Sequence, residues 1–366
     1  FTKIMEETLH KDHYTKKRWF DKEVSNIFHN DWICIGREEE FEGVGDYKLA
    51  NIMGEHIIII RGSDDELRGF YNFCKHRGCE LFDSSKGELS GTIKNNIRCP
   101  YHSWTYDLDG KLKNAPHLNL NMNDTRYHLS AINLRKWGGF VFISLSENEI
   151  SLKDYLKDIP NQLKRYPLEE LRSKVNIEYK IKSNWKVILE NYNECYHCSN
   201  IHPELCKIVP AFRNKGGSDL DWDNGVPHKE GANTFTLSGT TNREAFPELN
   251  KNEKERHFGQ ALYPNLLISL AMDHIAVFIV NPISPNQTNI DFSILFHPDA
   301  INDKEFDPSD AKELWDITNL QDWEICEKVQ RGMQSKAFKQ GFYAKMEDEN
   351  LDVKKYVSEK LNINAN

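Results

Sequence analysis

Two short cysteine–histidine groups constrain this chain more than any other feature of its sequence. The first is Cys74-x-His76 in CKHRGC, and the second is Cys99-x-x-His102 in CPYHSW. The segments around them, such as HIIIIRG and WTYDLDGKL, are short β-forming runs separated by Gly, Asp and Asn turns. We therefore expect both groups on hairpin loops of one small all-β domain, with a metal centre held between the two loop tips.

The donor set of two thiolates and two imidazoles fits two kinds of metal centre. One is structural zinc, and the other is a Rieske [2Fe–2S] cluster, in which two histidines replace two cysteines on one iron. The usual zinc-finger spacings, Cys-x-x-Cys and His-x-x-x-His, are absent from these groups. Cys79 follows Cys74 at the spacing of the first two cysteines of a plant-type ferredoxin, but Phe82 occupies the position of the next cysteine. We therefore expect Cys79 to be a packed thiol.

A second concentration of metal-binding residue types lies in the stretch ENYNECYHCSNIHPE. Its Cys195-x-x-Cys198 pair could be a redox dithiol, but that function needs a helix N-terminus, and we expect the pair well inside a helix. A zinc knuckle would leave Glu194 and His202 without a role. The third interpretation makes His197 and His202 two ligands of a 2-His-1-carboxylate iron site, which keeps positions open for oxygen.

The spacing of these two histidines makes a structural prediction. At ~100° per residue, side chains five positions apart lie about 140° from each other around a helix. The helix must therefore loosen or end between His197 and His202, and Pro203 disfavours helical geometry at His202. The carboxylate ligand has to come from another part of the chain.

Taken together, these motifs closely resemble the alpha subunits of Rieske non-haem iron oxygenases. The match includes the four cluster ligands, Arg77-Gly78 and the WTYDLDGKL strand. There are two departures, since Ser103 stands where glycine is usual and the interval between the ligand pairs is longer, as a longer hairpin around SSKGELSG would explain. The resemblance implies a [2Fe–2S] cluster rather than zinc.

The resemblance also implies the composition of the second site. His197 and His202 would bind a mononuclear Fe(II), with O2 as co-substrate, and Asp322 in NLQDWEICEKVQRG would be the carboxylate ligand. Taken alone, Asp322 would be an ordinary solvated helix acid, so this assignment depends on the resemblance. Glu194 would be the catalytic bridge through which electrons enter the iron site.

The expected fold class is α+β. An all-β Rieske domain is predicted at 32–146, and residues 1–31 with 147–366 are predicted to form the catalytic domain. By resemblance, the catalytic domain is a helix-grip fold, in which an antiparallel sheet wraps around long helices. The residue pattern agrees, since it predicts strands over 264–298 and a long amphipathic helix over 308–339.

Further local predictions concern the same domain. Residues 1–30 are expected to be a short helical lead-in, a helix should begin near Asn184 or Trp185, and the Gly-rich residues 213–257 should form a loop region. An apolar set is expected on or near the buried side of the long helix, namely Leu314, Trp315, Trp323, Ile325 and Val329.

Electrons must come from another protein. GVGDYK lacks the third glycine and the strand–helix context of a dinucleotide-binding GxGxxG motif. We therefore expect a separate reductase or ferredoxin, supplied by NAD(P)H, to dock near His76 and His102. The resemblance implies a head-to-tail homotrimer, in which His102 of one subunit lies across the interface from Glu194 of the next.

Composition argues against several partners. The net charge of −9 and the absence of a basic run argue against nucleic acid and anionic membrane surfaces. The longest apolar segments, HIIII and GFVFISL, are far shorter than the ~20 residues needed to span a bilayer. Six of the eight cysteines cluster in two groups beside histidines, as metal-binding cysteines of a reducing compartment do, so we expect a cytoplasmic protein.

The substrate prediction depends on Glu194. Family members that act on aromatic rings usually carry aspartate there, whereas glutamate in NYNECYHC resembles the branch acting on quaternary ammonium compounds such as carnitine, choline and glycine betaine. We therefore expect a small organic substrate, hydroxylation of a carbon next to a methylated nitrogen, and C–N cleavage. Aromatic faces bind methylated cations, so Tyr192 is the first candidate wall, followed by Tyr263, Phe258 and Trp222.

Two alternatives remain open at this point. The protein could be a Rieske oxygenase that hydroxylates an aromatic or polycyclic substrate. It could instead belong to another class, as a zinc-stabilised binding module or an electron carrier without oxygenase activity.

Overall fold

The computed structural model describes residues 5–87, 89–148, 151–218 and 220–363. Parts of the predicted catalytic domain, at 1–4, 149–150, 219 and 364–366, lie outside these residues, as does residue 88 of the long hairpin. The chain divides into two compact units, one of residues 28–155 and the other of residues 1–27 with 156–366. The functional domain limits given above stay a prediction.

The N-terminal segment is a helical lead-in, as predicted. It contains strand β1 (Glu6–Glu7), helices α1 (Asp12–Thr15) and α2 (Lys17–Glu23), and a π-helical turn at Val24–Phe28.

The unit of residues 28–155 is built from antiparallel strands, as predicted. Its strands are β2 Ile33–Arg37, β3 Asp46–Ile52, β4 Glu55–Arg61, β5 Leu67–Tyr71, β6 Ser90–Thr92, β7 Ile97–Arg98, β8 Thr105–Tyr106, β9 Leu112–Asn114, β10 Ala131–Trp137 and β11 Phe140–Ser144. A seven-stranded sheet has the order β2-β11-β10-β5-β4-β3-β6, and a three-stranded sheet has the order β7-β8-β9. The long interval between the ligand pairs supplies β6, which pairs with β3 at the edge of the larger sheet.

Local sequence explains these strands. The four isoleucines of β4, residues 57–60, are all fully buried, so this β-branched run is covered on both faces. Gly138 and Gly139 form the two-residue turn between β10 and β11, and both have positive φ, at 60° and 74°. Two consecutive positive φ angles match the type I′ hairpin turn, whose twist suits the paired strands.

The larger unit contains a six-stranded antiparallel sheet. Its strands are β12 Arg172–Ile181, β13 Val226–Pro227, β14 Arg256–Leu262, β15 Leu266–Leu270, β16 His274–Ser284 and β17 Gln287–Phe296. The strand order is β12-β17-β16-β15-β14-β13. The predicted strands over 264–298 are therefore confirmed, and most of 213–257 lies outside regular strands and helices. A short strand, β18 (Phe342–Tyr343), pairs with β1.

Helix α3 (Leu152–Leu156) spans the boundary between the two units. The larger unit also contains helices α4 Ile159–Gln162, α5 Trp185–Tyr192, α6 Cys198–Ile201, α7 Pro203–Ile208, α8 Lys251–Glu255, α9 Pro298–Ile301, α10 Ser309–Met333 and α11 Asn350–Lys360. Asn184 caps α5, since its side chain accepts a hydrogen bond from the backbone N–H of Lys186 at 3.1 Å. The helix therefore begins where the sequence predicted it.

Helix α10 ends six residues before the predicted limit, and part of its predicted buried face is wrong. Leu314 and Trp315 are buried, but Val329 is 39% exposed. The neighbouring Gln330 is buried instead, because its side chain accepts from the backbone N–H of Asn184 and donates to the backbone oxygen of Tyr14. A polar side chain can lie on the buried face of a helix when its hydrogen-bond partners are buried too, and apolar periodicity does not predict such a residue.

The described part of the chain contains no helix that combines the length and the apolar character needed to cross a membrane.

Candidate metal centres

The first cysteine–histidine groups lie on two loops of the β unit. The loop with Cys74 and His76 follows β5, and the loop with Cys99 and His102 joins β7 to β8. Each loop is closed by its own backbone, since the N–H of Gly78 donates to the oxygen of Cys74 at 2.9 Å and the N–H of Cys99 donates to the oxygen of Trp104 at 2.8 Å.

The four candidate ligands differ in their exposure to solvent. Cys74 and Cys99 are buried in one hydrophobic cluster, whereas His76 and His102 are exposed. The two imidazole rings lie edge to face with 4.7 Å between their centroids, and His76 stacks on Trp104. A metal centre here would have its thiolate side inside the domain and its imidazole side at the surface.

Hydrogen bonds around the sulfur atoms favour thiolates. The Tyr106 hydroxyl accepts from the backbone N–H of Lys75 at 3.1 Å, which leaves its own hydrogen to point at Cys74 Sγ, 3.2 Å away. Burial would raise the pKa of Cys99, but hydrogen bonds from the backbone N–H groups of Tyr101 and His102, together with those from Cys74 and Cys79, lower that pKa. At Cys74 burial outweighs the Tyr106 hydrogen bond and raises the pKa. Such hydrogen bonds are among those that tune iron–sulfur centres.

Ser103 shows why glycine is usual at its position. It has φ of 61°, in the left-handed region that favours glycine. Its N–H donates to the oxygen of Cys99 at 3.1 Å, and its hydroxyl accepts from Arg98 at 2.8 Å. The ligand loop therefore keeps its turn with serine at some conformational cost.

The second candidate site occupies the larger unit. After α5 ends at Tyr192, Glu194 lies in a turn, His197 precedes α6, and His202 separates α6 from α7. The predicted break in the helix is confirmed, because His202 has a non-helical ψ of 67° and Pro203 begins α7.

Three candidate ligand atoms converge at this site: Nε2 of His197, Nε2 of His202 and Oδ1 of Asp322. The two nitrogens are 3.2 Å apart, and the oxygen lies 3.3 Å from the first and 2.9 Å from the second. Three donors on one face of an octahedral ion, each about 2.1 Å from the metal, would be about 3.0 Å apart. The triangle therefore has the size that a 2-His-1-carboxylate site requires.

The tautomer of His202 follows from two neighbours. Gln321 Nε2 donates to Glu204 Oε2 at 3.2 Å, and His202 Nδ1 lies 2.8 Å from Gln321 Oε1. The backbone N–H of Glu204 lowers the pKa of its side chain, so this carboxylate only accepts hydrogen bonds. The amide oxygen of Gln321 must then face His202, which carries its hydrogen on Nδ1 and presents an unprotonated Nε2.

Glu194 orients the other imidazole. Its Oε1 lies 2.6 Å from His197 Nδ1, and its Oε2 accepts from the backbone N–H groups of Tyr196 and His197. Burial would lower the pKa of His197, but Asp322 and Glu194 raise it to about 10. The two carboxylates thus stabilise a positive charge close to the three converging atoms, which a divalent metal ion can supply.

Cys198 is a further donor atom near the triangle. Its Sγ lies within 4.8 Å of ligand atoms of His197 and His202. However, it forms a disulfide with Cys195, so it presents no thiolate, and a zinc knuckle of the two cysteines does not form. The expectation that the pair lies well inside a helix is wrong, because α5 ends at Tyr192 and α6 begins only at Cys198.

Tyr192 and Tyr263, the first candidates for aromatic walls of the substrate site, have different neighbours. Tyr192 lies on α5 close to Glu194, donates its hydroxyl to the oxygen of Ile268 at 2.8 Å, and packs edge to face on Phe278. Tyr263 accepts from Asn193 at 2.7 Å and packs on Tyr356 of α11.

The two weaker candidates lie near β13 and β14. Phe258 is in β14, and a side chain at Gly225 would collide with its ring. Trp222 packs against Phe212 and His257.

Sequence reasoning missed the polar residues around the triangle. Gln321 precedes the candidate ligand Asp322, and Glu204 follows Pro203. No spacing rule relates Gln321 to Glu204. Asn191 is also close, with Nδ2 3.3 Å from His197 Nε2. Only the position of Gln321 beside Asp322, and of Glu204 beside Pro203, could have indicated those two residues in the sequence.

Residues 168–362 match the family described as the ring hydroxylating alpha subunit, catalytic domain, and residues 31–124 match the Rieske [2Fe–2S] domain. The chain is 30% identical to the glycine betaine monooxygenase oxygenase subunit of Pseudomonas aeruginosa, over 91% of this chain and 83% of that protein. It is 29% identical to the carnitine monooxygenase oxygenase subunit of Acinetobacter pittii, over 91% and 86%.

Solved structures agree. A quaternary ammonium Rieske monooxygenase, studied for carnitine oxidation and inter-subunit electron transfer, superimposes with a TM-score of 0.75 at 25% identity, over 98% of this chain and 96% of that one. These matches decide against a zinc-stabilised binding module and against an electron carrier without a catalytic domain. The chain belongs to the Rieske non-haem iron oxygenases, as an alpha subunit with a [2Fe–2S] domain and a mononuclear iron catalytic domain.

Proposed function

We propose that this oxygenase subunit hydroxylates a carbon next to a quaternary or methylated nitrogen, after which the C–N bond breaks. The observation that carries the proposal is a glutamate, Glu194, on Nδ1 of His197, the imidazole that completes the triangle with His202 and Asp322. Support comes from relatives that are glycine betaine and carnitine monooxygenases.

The residues fit the two metal groups of the family. Cys74, His76, Cys99 and His102 would hold the [2Fe–2S] cluster, and His197, His202 and Asp322 would hold Fe(II). When bound, these groups supply electrons and O2 activation. The protein's part is to turn both Nε2 atoms of the triangle toward the ion, because Glu194 holds Nδ1 of one ring and Gln321 holds Nδ1 of the other.

Glu194 has a second part in the proposal. Its carboxylate is held by the backbone and by His197, and its side chain is 9% exposed. Tyr196, two residues along the chain, is 50% exposed, so this segment borders the surface. In a head-to-tail homotrimer, His102 of a neighbouring copy would reach this turn, and the carboxylate would lie between two imidazoles. The inter-subunit electron transfer described for the similar structure supports this arrangement.

The proposed reaction balances as a monooxygenation. One C–H bond next to nitrogen becomes C–OH, the second oxygen atom leaves as water, and two electrons and two protons are consumed. The resulting carbinolamine collapses to a carbonyl compound and an amine. The electrons originate from NAD(P)H through a separate reductase or ferredoxin, and the cytoplasmic location stays a prediction.

The proposed cation site uses aromatic walls. Tyr192 is two residues from Glu194, and its ring meets Phe278 with 5.9 Å between the centroids, so the two rings form one aromatic surface. Each such face contributes about 0.5–2 kcal/mol to binding a desolvated methylated cation. Tyr263 would be a more distant wall.

A single-turnover experiment tests the function without the unidentified reductase. The iron-loaded protein is reduced chemically under anaerobic conditions, so that the cluster and Fe(II) each hold one electron, and is then mixed with oxygenated substrate. We expect carbonyl product and the shortened amine from glycine betaine, carnitine or choline, and none from aromatic acids. Product from an aromatic acid alone would overturn the proposed substrate class.

A further inference from the structure

Two histidines outside the metal sites form an unusual pair. His257 of β14 and His228, just beyond β13, both pack on Phe235, with ring centroids 4.3 Å and 5.4 Å from it. Phe212 and Trp222 flank His257 at 6.1 Å and 6.5 Å. The two imidazoles therefore lie together within one aromatic cluster.

The polar atoms of this pair lack partners. Within the described residues, Nδ1 of His257 and both ring nitrogens of His228 are buried without a hydrogen bond. His257 is only 7% exposed, and its remaining nitrogen bonds to the backbone of Leu270. Buried polar groups are rarely left in this state, so a cluster of three indicates a place that a polar group of a ligand can fill.

The pair lies on the face of the sheet that α5 covers. Successive side chains of a strand alternate between faces, so His257 and Gly259 point to the same side. A side chain on Gly259 would come within 3.4 Å of the Tyr192 hydroxyl, which identifies that side. His257 is therefore one strand repeat from Gly259, the position that faces Tyr192, the residue proposed as the first wall of the cation site.

A continuous series of ring contacts links the two places. Tyr192 meets Phe278 at 5.9 Å, Phe278 meets Trp315 at 6.1 Å, and Trp315 meets Phe235 at 5.5 Å. Trp315 also precedes Asp322 by seven residues, about two helical turns, so both side chains lie on one face of α10. The imidazoles thus border the same aromatic surface as the candidate iron ligands.

The charge state of the pair restricts the ligand. Burial lowers the pKa of His257 to about 3 and that of His228 to about 4, so both rings are neutral at pH 7. A neutral His257 with one nitrogen bonded to the carbonyl of Leu270 offers Nδ1 only as an acceptor. A neutral His228 offers one donor and one acceptor.

This donor and acceptor set suits a hydroxyl group. An alcohol can donate to His257 Nδ1 and accept from the N–H of His228 at the same time. A carboxylate can only accept, so it would use one donor and face two lone pairs. We propose that His228 and His257 form the subsite that recognises a substrate hydroxyl, so that the preferred substrate is a methylated amino alcohol. This inference rests on the proposed function and narrows it.

Binding measurements on the iron-loaded enzyme without oxygen test the proposal. Choline and propyltrimethylammonium have the same shape, but a methyl group replaces the hydroxyl in the second. We expect choline to bind the native protein about tenfold more tightly, as one or two net hydrogen bonds provide. His257→Phe and His228→Phe should each remove most of that preference and leave propyltrimethylammonium binding within about twofold.

His13→Phe is the matched control. His13 is also buried with an unpartnered Nδ1, but it packs on Trp19 in the N-terminal segment. This variant should keep the native preference. Equal binding of the two cations by native protein, or the same loss in His13→Phe as in His257→Phe, would overturn the subsite and leave the imidazoles with solvent alone. Binding of neither cation would overturn the subsite, and failure of glycine betaine and carnitine to bind as well would overturn the proposed substrate class.

Discussion

Replacing Gln321 by leucine should weaken the mononuclear iron site and leave the cluster intact. His202 is 1% exposed, and its Nδ1–H has Gln321 Oε1 as acceptor at 2.8 Å. Leucine is similar in size but accepts nothing, so the ring is left with a buried, unpaired N–H, at a cost of about 1–3 kcal/mol. The ring can then take the tautomer that carries hydrogen on Nε2, which cannot bind a metal.

The expected loss can be bounded. Partners that orient ligating histidines typically change metal affinity by 10–100-fold, which corresponds to about 1.4–2.7 kcal/mol. Glu204→Gln should have a smaller effect, because it keeps the Gln321 amide but lets it rotate. Competition with an iron chelator, followed by total iron analysis against the cluster absorbance, would measure the mononuclear occupancy.

Gln162→Leu is the matched control. Gln162 is exposed, and its amide oxygen accepts from Gln260 at 3.0 Å. This variant should bind iron as native protein does. If Gln321→Leu retained the mononuclear iron as tightly as the control, at equal cluster content, the reasoning about the tautomer would be refuted.

Other predictions follow from the same network and from α5. Glu194→Gln should retain both metals but abolish turnover, and normal product formation would remove the electron-transfer bridge from the proposal. Lys186→Met should destabilise the catalytic unit by about 3–5 kcal/mol in denaturant unfolding, because it leaves the fully buried Glu23, 2.5 Å from Lys186 Nζ, without its ion-pair partner. Adding Glu23→Gln should recover most of this loss, and no recovery would contradict the ion-pair explanation. Burial raises the pKa of Glu190 from 4.5 to about 7, so the unfolded chain releases this proton first, and stability should fall by about 3 kcal/mol between pH 4.5 and 7. Glu190→Gln should remove this decrease in the free energy of unfolding with pH, and an unchanged slope would refute the assignment to Glu190.

Much of the fold follows from local rules. The isoleucine run of β4, the paired glycines after β10 and the Asn184 cap of α5 each act on their immediate neighbours, and the structure has the elements they predict. The prediction for α10 was less complete, because its buried side includes Gln330. That side chain is buried through partners on distant segments, which apolar periodicity does not register.

In the candidate metal sites too, some features follow from local sequence and others depend on tertiary packing. The sequence alone determined the donor types, their placement on two β loops, and the break in the helix before Pro203, because these depend on residue chemistry and short spacings. Tertiary structure decided which carboxylate completes the triangle, since Asp322 lies 120 residues beyond His202. It also decided that Gln321 assigns the His202 tautomer and that His228 meets His257 on Phe235. Such contacts depend on how helices pack on a sheet, and packing brings together residues that no local pattern relates.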